Sequence, residues 1–577
     1  MLFSDITKTF QQIQSVSSRI AMTKDLAKLF LKATARDVGL ISYLSLGKLR
    51  AVYKGTQFNI SSKGLSKILT KLFNSAKEDV ETKIKQVGDV GSVIDLFVWP
   101  GVDRGLSLDE VYRRLQEVEK ISGLGSQEKK SELLKGLLLD LDPLSAKFVV
   151  RIVADKLRIG FSDMTLLDAL SWMAIGDKSY RQKLEHAYNV CADIGLIAYT
   201  LKENGVEAIE GMEIHVGIPI RPASAERINS PKKILEKIGT CVAQPKLDGF
   251  RLQIHVDKTK EKHIVRFFSR NMLDMSNMFP DLKSLFMDLP LNQIICEGEA
   301  ISYDEGVFVP FQETVKRKRK HEIEKVAEQL PLKVFIFDVL YYNGKSLLDK
   351  THEQRRNLLE EVFKKDKSEK IIAIEEKKIE RADQLEEYFL DSIGKGLEGL
   401  VVKRPDSCYQ PGKRNSNWIK LKEISGSKLS DTIDCVVLGY YGGLGRRSSF
   451  GIGAFLVGIY NKNKDVFQTI AKVGTGLTDE LWVDMKKRCE AIGIEQKPKN
   501  VECSSEHFPD VWVSPEIVCM VRADEISVSK VHTCAKKENG KGYALRFPRF
   551  MGYRPDKSPT NATTASEIEN FYRWQKK

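Results

Sequence analysis

The spacing of apolar residues changes near residue 215, and this change predicts a chain built from more than one kind of domain. Between residues 133 and 141, leucines recur at the intervals of a helix face. Ser107 and Glu110 precede another such pattern with the spacing of a helix-capping box. Between residues 250 and 257, apolar and polar side chains alternate as in a strand. Helices are therefore expected first, and strands mixed with helices after them.

A second change follows the polar, glycine-containing segment at 423–431, after which short strand-like apolar runs recur. A chain of 577 residues is expected to divide into roughly three to four domains, because single cores stop growing well below this length. The polar tail at 558–566 is expected to be mobile. The predicted domains are all-α over 1–215, mixed α+β over 216–427 and mainly β over 428–577.

The charge balance favours an anionic partner. With 91 Lys and Arg against 78 Asp and Glu, the formal charge is +13, which suits nucleic acid, although general solubility explains such an excess equally simply. The nine cysteines include no C-x-x-C pair, so neither a zinc site nor a disulfide framework is expected. No secretory leader or long apolar segment is found. We therefore expect an intracellular chain with no membrane partner, in the cytoplasm or nucleoid, or in a eukaryotic nucleus.

The densest group of chemically distinctive residues is Gln244-Pro-Lys-Leu-Asp-Gly-Phe-Arg251, directly before the alternating strand. A lysine attacks the α-phosphorus of a nucleotide only as the neutral amine, so nearby cations or a metal must lower its pKa. Arg251, Lys420 and Lys422 are candidates for such cations. Taken alone, the Asp-Gly pair is equally typical of a hairpin turn.

Further charged and aromatic residues follow in a defined order. Taken singly, each has an ordinary structural explanation, such as a solvated strand face or a core aromatic residue. The two glutamates of the second segment are two residues apart, which places both on one face of a strand. The segments are Phe268-Ser-Arg-Asn271, Ile295-Cys-Glu-Gly-Glu299, Phe335-Ile-Phe-Asp338, Gly396-Leu-Glu-Gly-Leu-Val-Val-Lys403 and Trp418-Ile-Lys-Leu-Lys422.

Together these segments resemble the motifs of the covalent nucleotidyltransferase superfamily, which contains ATP-dependent DNA ligases, RNA ligases and mRNA capping enzymes. Further features resemble the archaeal and eukaryotic replicative type of DNA ligase. They are Pro310-Phe-Gln312 followed by Arg317-Lys-Arg-Lys320, the element Arg554-Pro-Asp-Lys557, and Asp155-Lys-Leu-Arg-Ile-Gly160 in the helical part. The resemblance covers nearly the whole chain. It implies an all-α DNA-binding domain, an α+β nucleotidyltransferase (adenylation) domain and a β-barrel OB-fold domain.

The resemblance also implies roles for individual residues. Lys246 is expected to be the nucleophile that becomes covalently adenylated, and Glu299 and Glu398 are expected to bind a metal ion. Lys156 and Arg158 are expected to contact DNA phosphates without reading bases. The residues expected to bind the nucleotide are Gln244, Arg251, Arg270, Glu299, Phe337, Lys403, Arg414, Lys420, Lys422, Arg554, Asp556 and Lys557.

The implied reaction joins a 5′-phosphate to a 3′-hydroxyl at a nick in double-stranded DNA during replication, repair or recombination. It uses ATP and Mg²⁺, for which Mn²⁺ can substitute, and passes AMP from Lys246 to the 5′-phosphate before sealing. The β domain is needed at the nucleotide in one step and on DNA in another, so it is expected to swing about residues 423–431. A sliding-clamp partner has no supporting motif, and a monomer is expected.

One residue departs from the family pattern. Gln244 occupies a position where glutamate usually accepts a hydrogen bond from the adenine amino group. A glutamine carbonyl can accept that bond, but its amide can also donate to guanine. The sequence alone therefore leaves the choice between ATP and GTP open.

Four other functions share parts of this pattern. An mRNA capping guanylyltransferase shares the lysine and carboxylates but needs neither the helical domain nor the Arg317–Lys320 block. RNA ligases typically lack a domain that carries the R-x-D-K element. A catalytically silent nucleic-acid clamp has no need for the intact lysine and carboxylates. An NAD-dependent ligase is disfavoured because the cysteine spacing offers no zinc module.

Overall fold

The described part of the chain comes from a computed structural model. It covers residues 1–575 except 17, 88, 161, 305–306, 309–313, 315–316, 318–326, 328, 364–368, 396, 423–431, 444–449, 524 and 537–539. The segment 423–431, about which the third domain was expected to swing, lies outside the described residues. So do Pro310-Phe-Gln312 and residues 318–320 of the basic block.

The first part of the chain is helical, as its leucine spacing predicts. Its apolar faces form one core that extends from Phe3 to Ile209. Ser107 caps its helix as expected, because its hydroxyl accepts a hydrogen bond from the Glu110 N–H at 3.2 Å. The helices are α1 Phe3–Ser15, α2 Arg19–Lys32, α3 Ala35–Leu44, α4 Ser62–Phe73, α5 Lys77–Val87, α6 Leu108–Lys120, α7 Ser126–Leu139, α8 Pro143–Val153, α9 Asp163–Ile175, α10 Arg181–Val190 and α11 Ile194–Glu210.

The central part contains two sheets. Its helices are α12 Pro231–Ile238, α13 Pro280–Asp288, α14 His352–Phe363 and α15 Ala382–Gly394. Its strands are β1 Ser224–Arg227, β2 Cys241–Pro245, β3 Phe250–Asp257, β4 Ile264–Ser269, β5 Gln293–Asp304, β6 Val307–Phe308, β7 Leu332–Tyr342, β8 Lys345–Ser346, β9 Ile371–Ala373, β10 Lys377–Ile379, β11 Gly399–Lys403 and β12 Arg414–Lys422. One sheet has the order β1-β12-β11-β2-β10, and the other has the order β4-β3-β5-β7-β8 with β6 on β5 and β9 on β7.

The last part is dominated by strands. Its elements are β13 Thr432–Tyr441, β14 Ala454–Asn461, β15 Val466–Val473, α16 Asp479–Ala491, β16 Gly493–Ile494, β17 Val501–Glu502, β18 Val511–Val513, β19 Val518–Arg522, β20 Glu525–Ser529, β21 Gly542–Arg546, β22 Arg549–Tyr553 and α17 Ala565–Gln575. The main sheet has the order β16-β18-β13-β14-β15-β17, in which β19 pairs with β13 and β22, while β20 and β21 form a separate antiparallel pair. The strand-like apolar runs of the sequence at 435–440, 455–460 and 511–513 lie in β13, β14 and β18, which confirms them as strands.

Strand β3 is confirmed, but both of its faces are buried. Leu252 and the apolar residues that alternate with it lie in the core. On the other face, the Gln253 side chain accepts from the Ile220 N–H at 2.7 Å, and the His255 Nδ1 accepts from the Gly217 N–H at 3.0 Å. The polar residues of β3 therefore fix the segment that leads in from the helical domain, because these backbone donors need buried partners.

The expectation of a mobile tail at 558–566 is wrong. Thr563 binds strand β13 twice, since its N–H donates to the Asp434 carbonyl at 2.9 Å and its hydroxyl accepts from the Asp434 N–H at 3.1 Å. Ala562 is fully buried, and helix α17 starts at Ala565. Ala562 and Thr563 of the tail therefore fit against the sheet instead of remaining in water. Within the described residues, no helix has the length and apolar character needed to cross a bilayer.

Candidate active site

Lys246 directly follows β2, and backbone pairing with β11 continues past it. The Lys246 N–H donates to the Gly399 carbonyl at 2.9 Å, and the Glu398 N–H donates to the Lys246 carbonyl at 3.2 Å. Gly399 has a φ of +130°, and a Cβ there would lie 2.1 Å from the Leu421 carbonyl oxygen. The glycine is therefore required for the close approach of β11 and β12 beside the lysine.

Glu398 joins the nucleophile to the next strand. Its Oε2 forms ion pairs with Nζ of Lys246 and with Nζ of Lys422, the latter at 2.8 Å. Burial alone would raise the pKa of Glu398, but the two lysines hold it far below its ordinary value. Burial and the neighbouring Glu398 raise the pKa of Asp248. Two carboxylates and two amines thus meet at the same point.

Glu299 approaches this point from β5 in the other sheet. Its Oε1 accepts from the Gly249 N–H at 3.1 Å, and burial raises its pKa to about 7. No group of three or more His, Cys, Asp and Glu side chains in the described residues is arranged to hold a metal. Glu299 and Glu398 instead offer carboxylate oxygens near Lys246, and such a pair fits Mg²⁺, since this ion usually combines one or two carboxylates with substrate phosphates and water.

Arg251 is held by Glu297, a residue to which the sequence assigned no role. The Arg251 Nη2 lies 2.9 and 3.1 Å from the two Glu297 carboxylate oxygens. The Tyr409 hydroxyl donates to the same carboxylate at 2.9 Å. The spacing of Glu297 and Glu299 does carry a signal, because, two residues apart in a strand, they lie on one face. Glu297 holds Arg251 in position, and Glu299 faces Lys246.

Phe337 is half-buried between two cations. The Arg251 guanidinium lies 5.4 Å and the Lys403 amine 5.3 Å from the centre of its ring. Lys403 is fully buried and donates to the Phe337 carbonyl at 2.9 Å, and burial lowers its pKa to about 8. Phe335 and Phe337 pack against a small apolar cluster consisting of Leu247, Ile374 and Leu397. An aromatic face beside an apolar wall forms a slot suited to a planar base. We refer to these residues as the nucleotide slot.

Cations from two domains cluster in the region of Lys246. Burial, reinforced by the charges of neighbouring cations, lowers the pKa of Arg270 to about 10, and that of Lys420 well below its ordinary value. From the last domain, Lys557 reaches the same region, pairs with Asp434, and has its pKa lowered by burial to about 8. Such a set of desolvated, mutually repelling cations is suited to a polyphosphate.

The last domain is docked on the central one through the R-x-D-K element and helix α17. The Asn271 side chain donates to the Asp556 carbonyl at 3.2 Å, and Arg554 pairs with the Asp556 carboxylate at 2.7 Å. Arg414, expected at the nucleotide, forms an ion pair with Glu567 of α17. Glu567 was missed in the sequence, because the tail around it was expected to be mobile.

Lys156 and Arg158 both contact the last domain in this conformation. Nζ of Lys156 donates to the Ala491 carbonyl at 2.7 Å, and Nη1 of Arg158 donates to the Gly493 carbonyl at 2.9 Å. Both carbonyls belong to the last domain. The role expected for these two cations at DNA phosphates would require them to give up these two hydrogen bonds.

Gln244 is buried on β2, two residues before Lys246 and on the same side of the strand. Its Nε2 donates to Oε2 of Glu376 at 2.6 Å. No pattern in the sequence indicates this role for Glu376. It lies 132 residues after Gln244 in the chain, and nothing in the sequence around it distinguishes it from an ordinary solvated glutamate.

Three known domain families match the chain in order. The DNA ligase N terminus matches residues 2–171, the ATP dependent DNA ligase domain matches residues 222–422, and the ATP dependent DNA ligase C terminal region matches residues 448–557. These ranges follow the helical, mixed and sheet-rich parts of the structure.

Full-length relatives support the same assignment. A probable DNA ligase from Dictyoglomus turgidum is 42% identical over 581 residues, covering 100% of this chain and 98% of the relative. DNA ligase 2 from Korarchaeum cryptofilum is 37% identical over 589 residues, with the same coverage of each chain. The DNA ligase of Sulfurisphaera tokodaii is 36% identical over 594 residues, covering 99% of this chain and 98% of the relative. The chain belongs to the family of ATP-dependent DNA ligases.

Proposed function

We propose that this chain seals nicks in duplex DNA through an adenylate on Lys246. The observation that carries the proposal is the position of Lys246, between the carboxylates of Glu398 and Glu299 and beside cations supplied by two domains. A nucleophilic amine, a base slot and a polyphosphate-binding cluster are the parts that a lysine needs to attack the α-phosphorus of ATP.

The first step follows from these contacts. The base of ATP lies in the nucleotide slot against Phe337. Its negatively charged phosphates form ion pairs with Arg270, Lys420 and Lys557, which repel one another when no anion is bound. Lys246 leaves its ion pair with Glu398 and loses a proton to solvent. The neutral amine then forms a P–N bond to the α-phosphorus as the bond between that phosphorus and pyrophosphate breaks, and the nitrogen releases its second proton to solvent. Lys557 and Arg554 stabilise the charge that develops on the pyrophosphate.

We propose that Glu299 and Glu398 hold Mg²⁺, or Mn²⁺ in its place, when ATP is bound. The ion would neutralise charge on the phosphates, which is what a metal contributes to most phosphoryl transfers. The hydrogen bond from the Gly249 N–H orients the Glu299 carboxylate for this role.

Two later transfers complete the reaction. AMP passes to the 5′-phosphate of the nick, and the 3′-hydroxyl then attacks that phosphate and releases AMP.

We propose that the last domain, over 428–577, is an OB-fold that leaves the nucleotide after the first step and binds DNA. The adenylation domain over 216–427 carries the chemistry. The helical domain over 1–215 grips phosphates, with Lys156 and Arg158 freed for DNA by the same movement.

We propose that the protein works as a monomer inside the cell on nicked DNA.

Incubation with α-labelled ATP, GTP or NAD, followed by denaturing electrophoresis, tests the first step. Label from ATP is expected on the wild type, none on Lys246→Ala, and wild-type label on the control Lys378→Ala, whose side chain is exposed. The same variants are then assayed on a nicked duplex. Label from GTP alone would assign the chain to mRNA capping instead.

A further inference from the structure

Gln244, Glu376 and His352 form a buried polar network at the edge of the nucleotide slot. Nε2 of Gln244 and Nε2 of His352 lie 2.6 and 2.8 Å from the same oxygen, Oε2 of Glu376. Gln244 is 2% exposed and the Glu376 side chain 11% exposed. At this depth, the hydrogen-bonding direction of each group is fixed by its partners, because water competes little with them.

Glu376 can only accept in this network. Burial by itself would raise the pKa of its carboxyl group, but the hydrogen bond from His352 and the charges of Lys403 and Arg356 bring the pKa below its ordinary value. Burial lowers the pKa of His352, so the ring is neutral and its Nε2–H donates to the carboxylate. An ionised carboxylate has no proton to donate. Both neighbours of Glu376 must therefore be donors.

The charge of Glu376 settles which end of the Gln244 amide faces it. The two ends of a glutamine amide are nearly identical in shape and differ only in that NH₂ donates while the carbonyl accepts. A carboxylate acceptor selects the NH₂ end, so the carbonyl oxygen Oε1 points elsewhere. In the part of the chain that the structure describes, no residue donates a hydrogen bond to Oε1.

The direction left for Oε1 is set by the strand and by the slot. Gln244 and Lys246 lie on the same side of β2. Glu376 follows Ile374, whose side chain belongs to the apolar wall of the slot and whose N–H donates to the Ile336 carbonyl at 2.9 Å. The network is thus attached to the wall against which a base would lie.

We propose that Glu376 is a positioning residue that holds the Gln244 amide with its carbonyl oxygen toward the nucleotide, and so makes the site select adenine. Adenine presents a 6-amino donor to this oxygen, whereas guanine presents the O6 acceptor, and two carbonyl oxygens facing each other repel. The proposal rests on the proposed function, because it concerns the base of the nucleotide that Lys246 attacks.

Removal of the negative charge tests the proposal. In Glu376→Gln the partner of Gln244 can accept or donate, so the Gln244 amide can turn and offer its NH₂ to guanine. The ratio of the labelling rates of Lys246 with α-labelled ATP and GTP should fall about tenfold, mainly through faster labelling by GTP, since one well-placed base-edge contact discriminates by this amount or more. The matched control is Glu375→Gln, an exposed neighbour, which should keep the wild-type ratio.

A second variant distinguishes positioning from general damage to the slot. The double substitution Gln244→Glu with Glu376→Gln exchanges the two side chains. The new glutamine donates its NH₂ to the new glutamate, so an acceptor oxygen of position 244 again faces the base, here from a carboxylate. Its ATP to GTP ratio should return to within about threefold of wild type, a recovery that a merely loosened pocket does not give. Thermal melting of each variant verifies folding.

The outcomes separate this proposal from the proposed function. If Glu376→Gln labels with ATP but keeps the wild-type ratio, or if the exchanged pair fails to restore it, the positioning role of Glu376 is overturned. If the wild type itself is not labelled by ATP, the proposed function fails before the role of Glu376 is addressed.

Discussion

At the scale of single residues, the buried charges of the site depend on partners from other strands. Arg251 and Glu297 have side chains 17% and 1% exposed, and Tyr409 donates to the same carboxylate. We predict that Glu297→Ala destabilises the protein by about 3–5 kcal/mol, because it leaves a buried guanidinium without its partner. Tyr409→Phe should cost only about 1 kcal/mol, because it removes one hydrogen bond and no charge.

Thermal unfolding followed by circular dichroism measures both effects. The fall in Tm of Glu297→Ala should clearly exceed that of Tyr409→Phe. Equal shifts would show that Arg251 finds another partner or water, and the ion pair would then not be what holds the arginine near Phe337.

The cation cluster predicts that nucleotide binding takes up protons. Burial lowers the pKa of Lys557 to about 8 and that of Lys420 well below its ordinary value, and an arriving triphosphate raises both. Because the bound state then holds more protons than the free state, affinity should fall as pH rises through about 8. Uptake near pH 8.5 should be about half a proton or more per ATP bound.

Calorimetry of ATP binding to Lys246→Ala, in two buffers that differ in ionisation enthalpy, gives the number of protons. The matched variant adds Lys557→Arg, which keeps a cation that does not titrate in this range. Uptake should drop in that variant. No dependence on the buffer in either protein would show that the lysines are already fully protonated without nucleotide.

At the scale of secondary structure elements, the sequence predicts what depends on local pattern. Leucine spacing over 133–141 predicts a helix, which the structure has as α7, and alternation over 250–257 predicts β3. The roles of Glu376 and Glu567 depend instead on which strands become neighbours. Gln244 meets Glu376 only because β2 pairs with β10, and no periodicity encodes that pairing.

Helix α17 shows the same limit and leads to a prediction. The polar stretch at 558–566, which leads into this helix, was expected to be mobile, yet Glu567 pairs with Arg414 and Ile568 is fully buried. We predict that Glu567→Ala lowers the rate of Lys246 adenylation about five- to tenfold, because the last domain then docks less firmly on the central one. Sealing of a nick that already carries AMP should be unchanged, since that step does not need this docking.

Pre-adenylated and ordinary nicked duplexes, compared at equal enzyme concentration, separate the two rates. Arg573→Ala, at an exposed position of the same helix, is the control. A similar loss on both substrates would mean that Glu567 supports the fold of the last domain and not its docking.

At the scale of the whole molecule, the last domain contacts both other domains at once. Asp465 on the turn between β14 and β15 pairs with Arg19 at 2.5 Å and accepts from the hydroxyls of Ser162 and Thr165 at 2.8 and 3.1 Å. Lys156 is occupied in the same interface. This arrangement suits the proposed first step, because the R-x-D-K element lies beside Arg270 and Lys420, but it also occupies cations expected to bind DNA.

The interface around Asp465 therefore predicts a lock that separates the steps of the reaction. A Thr165→Cys and Asp465→Cys variant joined by a short bis-maleimide should still label Lys246 with ATP at close to the wild-type rate, because the closed arrangement is retained. Its sealing of nicked DNA should fall by more than tenfold, since the helical and last domains must part before Lys156 and Arg158 can reach phosphates. Each single-cysteine variant treated with the same reagent controls for reaction at native cysteines such as the exposed Cys408. Full sealing by the crosslinked protein would mean that DNA enters without this opening, and that these two cations act in the interface and not on DNA.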